Sequence, residues 1–188
     1  MNAAASGAFG VILAAGRSRR LGRPKALLPF QGQPLVQALV ETYQSVGLKV
    51  VVVAGPEVAR VLEPTSVWLI VGDPEQVMID SLARGLAAGP VGARAALIQP
   101  VDAAFTDRAL LLALLQAVTD RAVVPHHAGV PGHPVALPAS YFPAIAERPE
   151  GGLRTLLGDA VALDWGDPRI LCDLDEPADL VRWGLATS

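Results

Sequence analysis

Four short aliphatic runs constrain this chain most: Phe9 to Ala14, Val50 to Ala54, Val67 to Val71 and Ala95 to Ile98. Each is nearly continuous instead of alternating, as in strands covered on both faces of a parallel sheet. Helical patterns separate them. From Pro34, the residues Leu35, Val36, Leu39, Val40, Tyr43 and Val46 repeat at helix spacing, and Gly47 stops the run. Pro56 to Leu62 predicts a shorter helix. Gln76 to Ala88 predicts another, with Met78, Ile79, Leu82 and Leu86 on one side. Thr106 is expected to cap a well-buried helix running to about Val118. Strand and helix alternating over two-thirds of the chain predict an α/β fold: a single-domain, doubly wound, mostly parallel mixed sheet.

The last third is less regular. Ala122 to Pro125, His133 to Leu137, Val161 to Trp165 and Ile170 to Asp173 read as strands, some of them antiparallel. Phe142 to Glu147 and Leu153 to Leu157 read as short helices, and Pro177 to Leu185 as a closing helix. At 188 residues the chain is one domain, 1–188, with residues 1–7 expected to fray. No apolar run approaches the roughly 20 residues of a membrane span, so no membrane partner is expected. The opening residues lack the basic-then-apolar order of a leader, which predicts a cytoplasmic protein. A net charge of −3 argues against nucleic acid as a partner. The lone cysteine, Cys172, cannot form an internal disulfide. His126 and His127 are adjacent on a predicted strand and point to opposite faces, so no histidine metal site is expected.

Charge is unevenly placed. No acidic residue precedes Glu41, whereas Arg17, Arg19, Arg20, Arg23 and Lys25 fall within nine positions. They lie in Leu13-Ala14-Ala15-Gly16-Arg17-Ser18-Arg19-Arg20-Leu21-Gly22-Arg23-Pro24-Lys25, directly after the first predicted strand. Ligands of open α/β sheets bind at the carboxyl ends of strands, and a glycine-bearing loop there can turn backbone N–H groups toward phosphates. A solvated basic loop is the plainer alternative. The loop is not a Walker A motif, because Gly22 is followed by Arg-Pro-Lys, and no G-x-G-x-x-G dinucleotide fingerprint is present.

The stretch Leu13 to Pro29 resembles the signature loop of nucleotidyltransferases of the molybdenum cofactor type, and most of all the molybdenum cofactor cytidylyltransferases. Four more segments agree in order: Ser81-Leu82-Ala83-Arg84-Gly85-Leu86, Pro100-Val101-Asp102, Gly132-His133-Pro134-Val135, and Asp173-Leu174-Asp175-Glu176-Pro177-Ala178-Asp179-Leu180. Together they span about residues 9–182.

The resemblance implies a Rossmann-like nucleotidyltransferase fold and transfer of CMP from CTP to the terminal phosphate of molybdopterin, releasing pyrophosphate. It assigns Arg17 and Lys25 to the triphosphate, with Lys25 at the leaving pyrophosphate, and Asp102 to catalysis. Leu13, Ala14, Ala15, Gly16 and Ser81 would contact the nucleotide. Asp102 and Asp175 would hold Mg²⁺, with Asp173 as the alternative to Asp175. The implied partners are a nucleoside triphosphate, a phosphorylated pterin acceptor and a molybdoenzyme receiving the product. Another triphosphate or phosphorylated acceptor, or an inactive cofactor-binding relative, are the competing readings.

Each acidic residue also has a structural alternative. Asp102 could serve a turn by bonding its own backbone, and Asp175 could be a helix cap. His133 could line the acceptor pocket or only pack. Three departures from the family pattern stand out. Ala103-Ala104 follow Asp102 where a proline is usual, so a looser loop is expected. Glu176 replaces a threonine. Gln99 stands where glycine or aspartate is common.

Overall fold

The computed structural model describes residues 6–16, 18, 21–62, 67–73 and 75–183. Its centre is β1 (Ala8–Ala14), every residue of which is buried. This strand pairs in parallel with β4 (Lys49–Ala54) on one side and β6 (Ala95–Pro100) on the other. Outside β4 lies β5 (Trp68–Val71), also parallel. Outside β6 lies β9 (Val135–Pro138), antiparallel, followed by β7 (Val123–His127) and β10 (Val161–Asp164). The two-residue β8 (Val130–Pro131) extends the end of β7. The order β10-β7-β9-β6-β1-β4-β5 is the expected mostly parallel mixed sheet.

Successive side chains of a strand face opposite sides, and β1 feeds two cores. Ile12 and Ala14 join Val50, Val52 and Leu97 under α1 (Leu35–Ser45) and α4 (Arg108–Ala117). Phe9, Val11 and Leu13 join Val51, Val53 and Ile98 under α3 (Met78–Ala87) and α5 (Phe142–Ala146). Burying both faces explains why these strands read as continuous aliphatic runs. Gly10 is needed where it stands, because a Cβ there would run into the ring of Tyr43 from α1. A small hairpin, β2 (Pro29–Phe30) and β3 (Gln33–Pro34), leads into α1. Its turn residues Gln31 and Gly32 both have positive φ, as a two-residue hairpin turn requires. Two short helices remain, α2 (Pro56–Ala59) and α6 (Pro177–Arg182).

Several expectations are corrected. Residues 170–173 are not a strand. Pro168–Leu171 form a single 3-10 turn, set by Pro168 and by the Asp167 carboxylate accepting from the Arg169 amide. The cap of α4 is Asp107, whose side chain accepts from Leu110 N at 2.8 Å, not Thr106. Leu153–Leu156 are also 3-10, and β9 begins only at Val135, after the cis bond between His133 and Pro134. Residues 6 and 7 are not frayed: the carbonyls of both accept hydrogen bonds from Arg94. The expected fraying of residues 1–5 and the end of the closing helix beyond 183 lie outside the described residues. No helix among the described residues is long and apolar enough to cross a membrane.

Candidate active site

The strand order turns in opposite directions from β1, toward β4 on one side and β6 on the other, and a crevice opens at such a point beyond the carboxyl ends. A cavity of about 390 Å³ lies there. One wall is the end of β1 with its loop: Leu13, Ala14, Ala15, Gly16, Ser18 and Lys25. The opposite wall is Pro100, Val101 and Asp102 after β6. Asp73, Gln76, Met78 and Ser81 close it from the start of α3, and Asp175 from the chain's last segment. Every proposed nucleotide-binding residue that is described therefore lines one cavity. Arg17 lies outside the described residues.

Three segments distant in sequence are stitched together by backbone. Val101 N donates to Leu13 O at 3.0 Å, joining the loops after β6 and β1. Leu174 N donates to Asp102 O at 3.1 Å, docking the closing segment beside them. Lys25 opens a 3-10 turn, Lys25–Leu27, and its amide donates to Ser18 Oγ at 2.9 Å, which ties the basic loop across its base. This tie was not anticipated, although Ser18 stands inside the loop motif.

Lys25 is only 8% exposed, an environment that would ordinarily drive an ammonium toward neutrality. Burial does lower its pKa, but the hydrogen bond and charge of Asp175 and the charge of Asp102 outweigh it, and the net shift is upward. Its Nζ lies 2.8 Å from Asp175 Oδ1 and 3.3 Å from Asp102 Oδ2. Lys25 is thus a fixed positive charge at the floor of the cavity.

Asp102, Asp173 and Asp175 each bring a carboxylate oxygen within 4.8 Å of the others. Mutual repulsion shows at Asp173, whose pKa is raised by burial first and then by Asp102 and Asp175. Among the described residues, three carboxylates here face one ammonium. An all-oxygen donor set of this kind suits a hard divalent cation such as Mg²⁺ or Mn²⁺. Both candidate ligands of the closing motif therefore reach Asp102. Leu174 between them is fully buried, so the extended segment turns both aspartates to the same side.

The geometry shows what each of these side chains bonds to. Asp102 serves the turn with one oxygen, Oδ1, which accepts from Ala103 N at 3.1 Å, while Oδ2 meets Lys25. The cap of α6 is Glu176, not Asp175, and Asp179 Oδ2 accepts from the amides of both. The Asp175 carboxylate lines the cavity and accepts from Lys25. The Asp102 loop is not slack despite Ala103-Ala104. The side chain of Gln99 donates to Ala103 O at 2.6 Å and to Phe105 O at 3.3 Å. His133 is absent from the cavity walls, and burial lowers its pKa against the opposing charge of Asp102. Asp80, beside Ser81, is paired with Arg148 at 2.6 Å.

Residues 10–164 match the family described as the MobA-like NTP transferase domain. The chain belongs to that family. Among curated proteins, this MobA-like chain is 34% identical over 116 residues to a molybdenum cofactor guanylyltransferase of Xanthomonas euvesicatoria pv. vesicatoria. That match spans 61% of this chain and only 57% of the relative's length. It is 29% identical over 175 residues to nicotine blue oxidoreductase of Paenarthrobacter nicotinovorans, covering 79% of this chain and 80% of that protein. Among solved structures, Rv0371c from Mycobacterium tuberculosis H37Rv superposes with a TM-score of 0.83 at 24% identity, over 95% of this chain and 98% of that one. Its manganese complex superposes with a TM-score of 0.77 at 23% identity, over 93% and 96%. These likenesses show a shared fold. Asp73, Gln76 and Met78, which also line the cavity of this MobA-like domain, were not singled out from sequence. They sit in a loop and first helical turn without charge clustering, and only their register ahead of Ser81 could have marked them.

Proposed function

We propose that this chain is a nucleotidyltransferase that moves CMP from CTP to the terminal phosphate of molybdopterin. An acceptor phosphate oxygen attacks the α-phosphorus of the triphosphate, the bond from that phosphorus to the bridging oxygen breaks, and pyrophosphate leaves with the electron pair. Such transfers need little covalent participation from the protein; positioning and charge neutralisation dominate. The observation that carries the reading is the convergence of Lys25 with Asp102, Asp173 and Asp175 beside the glycine loop.

Roles follow from place. Backbone at Ala14, Ala15 and Gly16 faces the nucleotide, with Ser81 closing the cavity from α3. Lys25, and Arg17 by its place in the loop motif, neutralise charge on the departing pyrophosphate. Asp102 with Asp175 or Asp173 would hold Mg²⁺, which when bound supplies positive charge against the phosphates. Ser18 and the Asp102 turn each brace their own loop, and the Val101–Leu13 hydrogen bond joins the two loops, which lowers the reorganisation needed at reaction.

GTP is the second reading, supported by the name of the guanylyltransferase relative. The redox name of the other relative is not carried over, since the loop after β1 lacks the G-x-G-x-x-G spacing of a dinucleotide site. Purified protein incubated with molybdopterin, Mg²⁺ and each nucleoside triphosphate in turn, followed by mass analysis and pyrophosphate release, tests both readings. A cytosine dinucleotide product supports the proposal, a guanine one replaces it, and no pyrophosphate release with any triphosphate overturns nucleotidyl transfer.

A further inference from the structure

We infer that Gln99 and Tyr43 are positioning residues for Asp102, holding its carboxylate where a divalent cation can be bound; this rests on the cation reading given above. Gln99 lies in β6, three residues before Asp102, and is fully buried. Its strand neighbours Leu97 and Ile98 are aliphatic and buried, and an apolar side chain would fill the same place. A primary amide there is costly unless its polar atoms are paired. Both are paired, Nε2 toward the Asp102 loop and Oε1 toward α1. Nε2 donates to the carbonyls of Ala103 and Phe105, which bracket the turn that follows Asp102. Oε1 accepts from the hydroxyl of Tyr43 at 2.9 Å.

That hydroxyl fixes which way the amide faces. Tyr43 is fully buried in α1, and burial raises its pKa well above the ordinary phenol value, so it remains a donor. With Oε1 committed to it, Nε2 must face the loop. The ring reaches Gln99 across β1, over Gly10, where no side chain blocks the path. A relay therefore runs from α1 through Gln99 to the turn at Asp102. The turn itself is closed by Ala104 N donating to Asp102 O at 2.8 Å and Ala103 N to Asp102 Oδ1. The amide does here what a proline after the aspartate would do by restricting φ.

The test titrates the parent, Gln99→Met and Tyr43→Phe with Mn²⁺ alone, by calorimetry, and measures kcat and KM for the nucleotide. Val123→Ala, a buried strand change outside the cavity walls, controls for general destabilisation. Loss of an outer-shell partner typically weakens metal binding by about tenfold or more, which is the expectation for Gln99→Met. Tyr43→Phe should shift Mn²⁺ affinity in the same direction by about threefold, because the amide keeps its place but loses its orientation. Both should lower kcat more than they raise KM, while the control lowers Tm and moves neither. If Gln99→Met does not fold, Tyr43→Phe, which removes one oxygen, decides alone. Parent-like Mn²⁺ affinity in the folded variants overturns the inference. A parent that binds no Mn²⁺ overturns instead the cation reading on which it stands.

Discussion

Lys25 donates to Asp175 Oδ1 at 2.8 Å, although 150 residues separate the two. The pair joins the first loop of the chain to its last segment across the mouth of the sheet. In the proposed reaction its charges would serve the phosphates on one side and a cation on the other. An ammonium and a divalent cation here draw on the same carboxylates, Asp102 and Asp175, and so compete for them.

Replacing Lys25 with alanine should separate these roles. Turnover should fall by the equivalent of about 2–4 kcal/mol, if Lys25 acts like other donors aimed at developing charge. Mn²⁺ binding without nucleotide should tighten, since two carboxylates lose their internal partner. Turnover at saturating CTP and magnesium equal to the parent's would remove Lys25 from the mechanism.

The acidic trio predicts a graded pattern. Asp102→Asn should abolish most metal dependence, because Asn keeps an oxygen but loses the charge a hard cation needs. Asp175→Asn should weaken magnesium activation more than Asp173→Asn if Asp175 is the principal partner. The reverse ranking in magnesium titrations assigns the role to Asp173.

Ala15 predicts part of the base preference. Its side chain is buried at the end of β1 and faces Gly72, where an added Cβ would come within 2.9 Å of it. On the proposed reading this methyl group narrows the cavity beside Gly72 and would disfavour a purine. Ala15→Gly should raise GTP use relative to CTP by an amount worth about 1–3 kcal/mol at most. An unchanged CTP-to-GTP ratio would show that Ala15 only packs.

Cys172 offers a pH-dependent probe of folding. Burial pushes its thiol from an ordinary value near 9 up to about 11. Between these values the unfolded chain loses the proton and the folded chain keeps it. Below pH 9 this group costs the fold nothing, and its contribution to stability is lost as pH rises toward 11. A thiol-disulfide reagent at pH 8 should therefore modify Cys172 only at the rate of opening. Rapid modification of native protein would contradict this.

Much of the site was legible because its chemistry is local. The glycine and arginine loop, the Pro100-Val101-Asp102 strand end and the Asp173-Leu174-Asp175 alternation each carry their meaning within a few residues. The features that were not legible depend on partners far away or on near-equivalent neighbours. Thr106 and Asp107 are both good caps, and only Asp107, extended at φ −134°, stands three residues before the amide it binds, Leu110 N. Ile170 and Leu171 suggested a strand, but Pro168 and the Asp167 carboxylate impose a tight turn first. The partnership of Gln99 with Tyr43 spans 56 residues and leaves no periodic trace.

The docking of Leu174 onto Asp102 has a bearing on when the molecule becomes competent. The strands β1, β4, β5 and β6 are all in place in the chain by position 100, yet the charge constellation waits for position 175. Contacts this distant in sequence close late, because their chain-entropy cost must be met by structure already formed. During synthesis, Lys25 and Asp102 would thus both be present before Asp173 and Asp175 arrive. A ribosome-bound chain halted before the closing segment would hold Lys25 against Asp102 alone, with one of the three carboxylates of the proposed cation site.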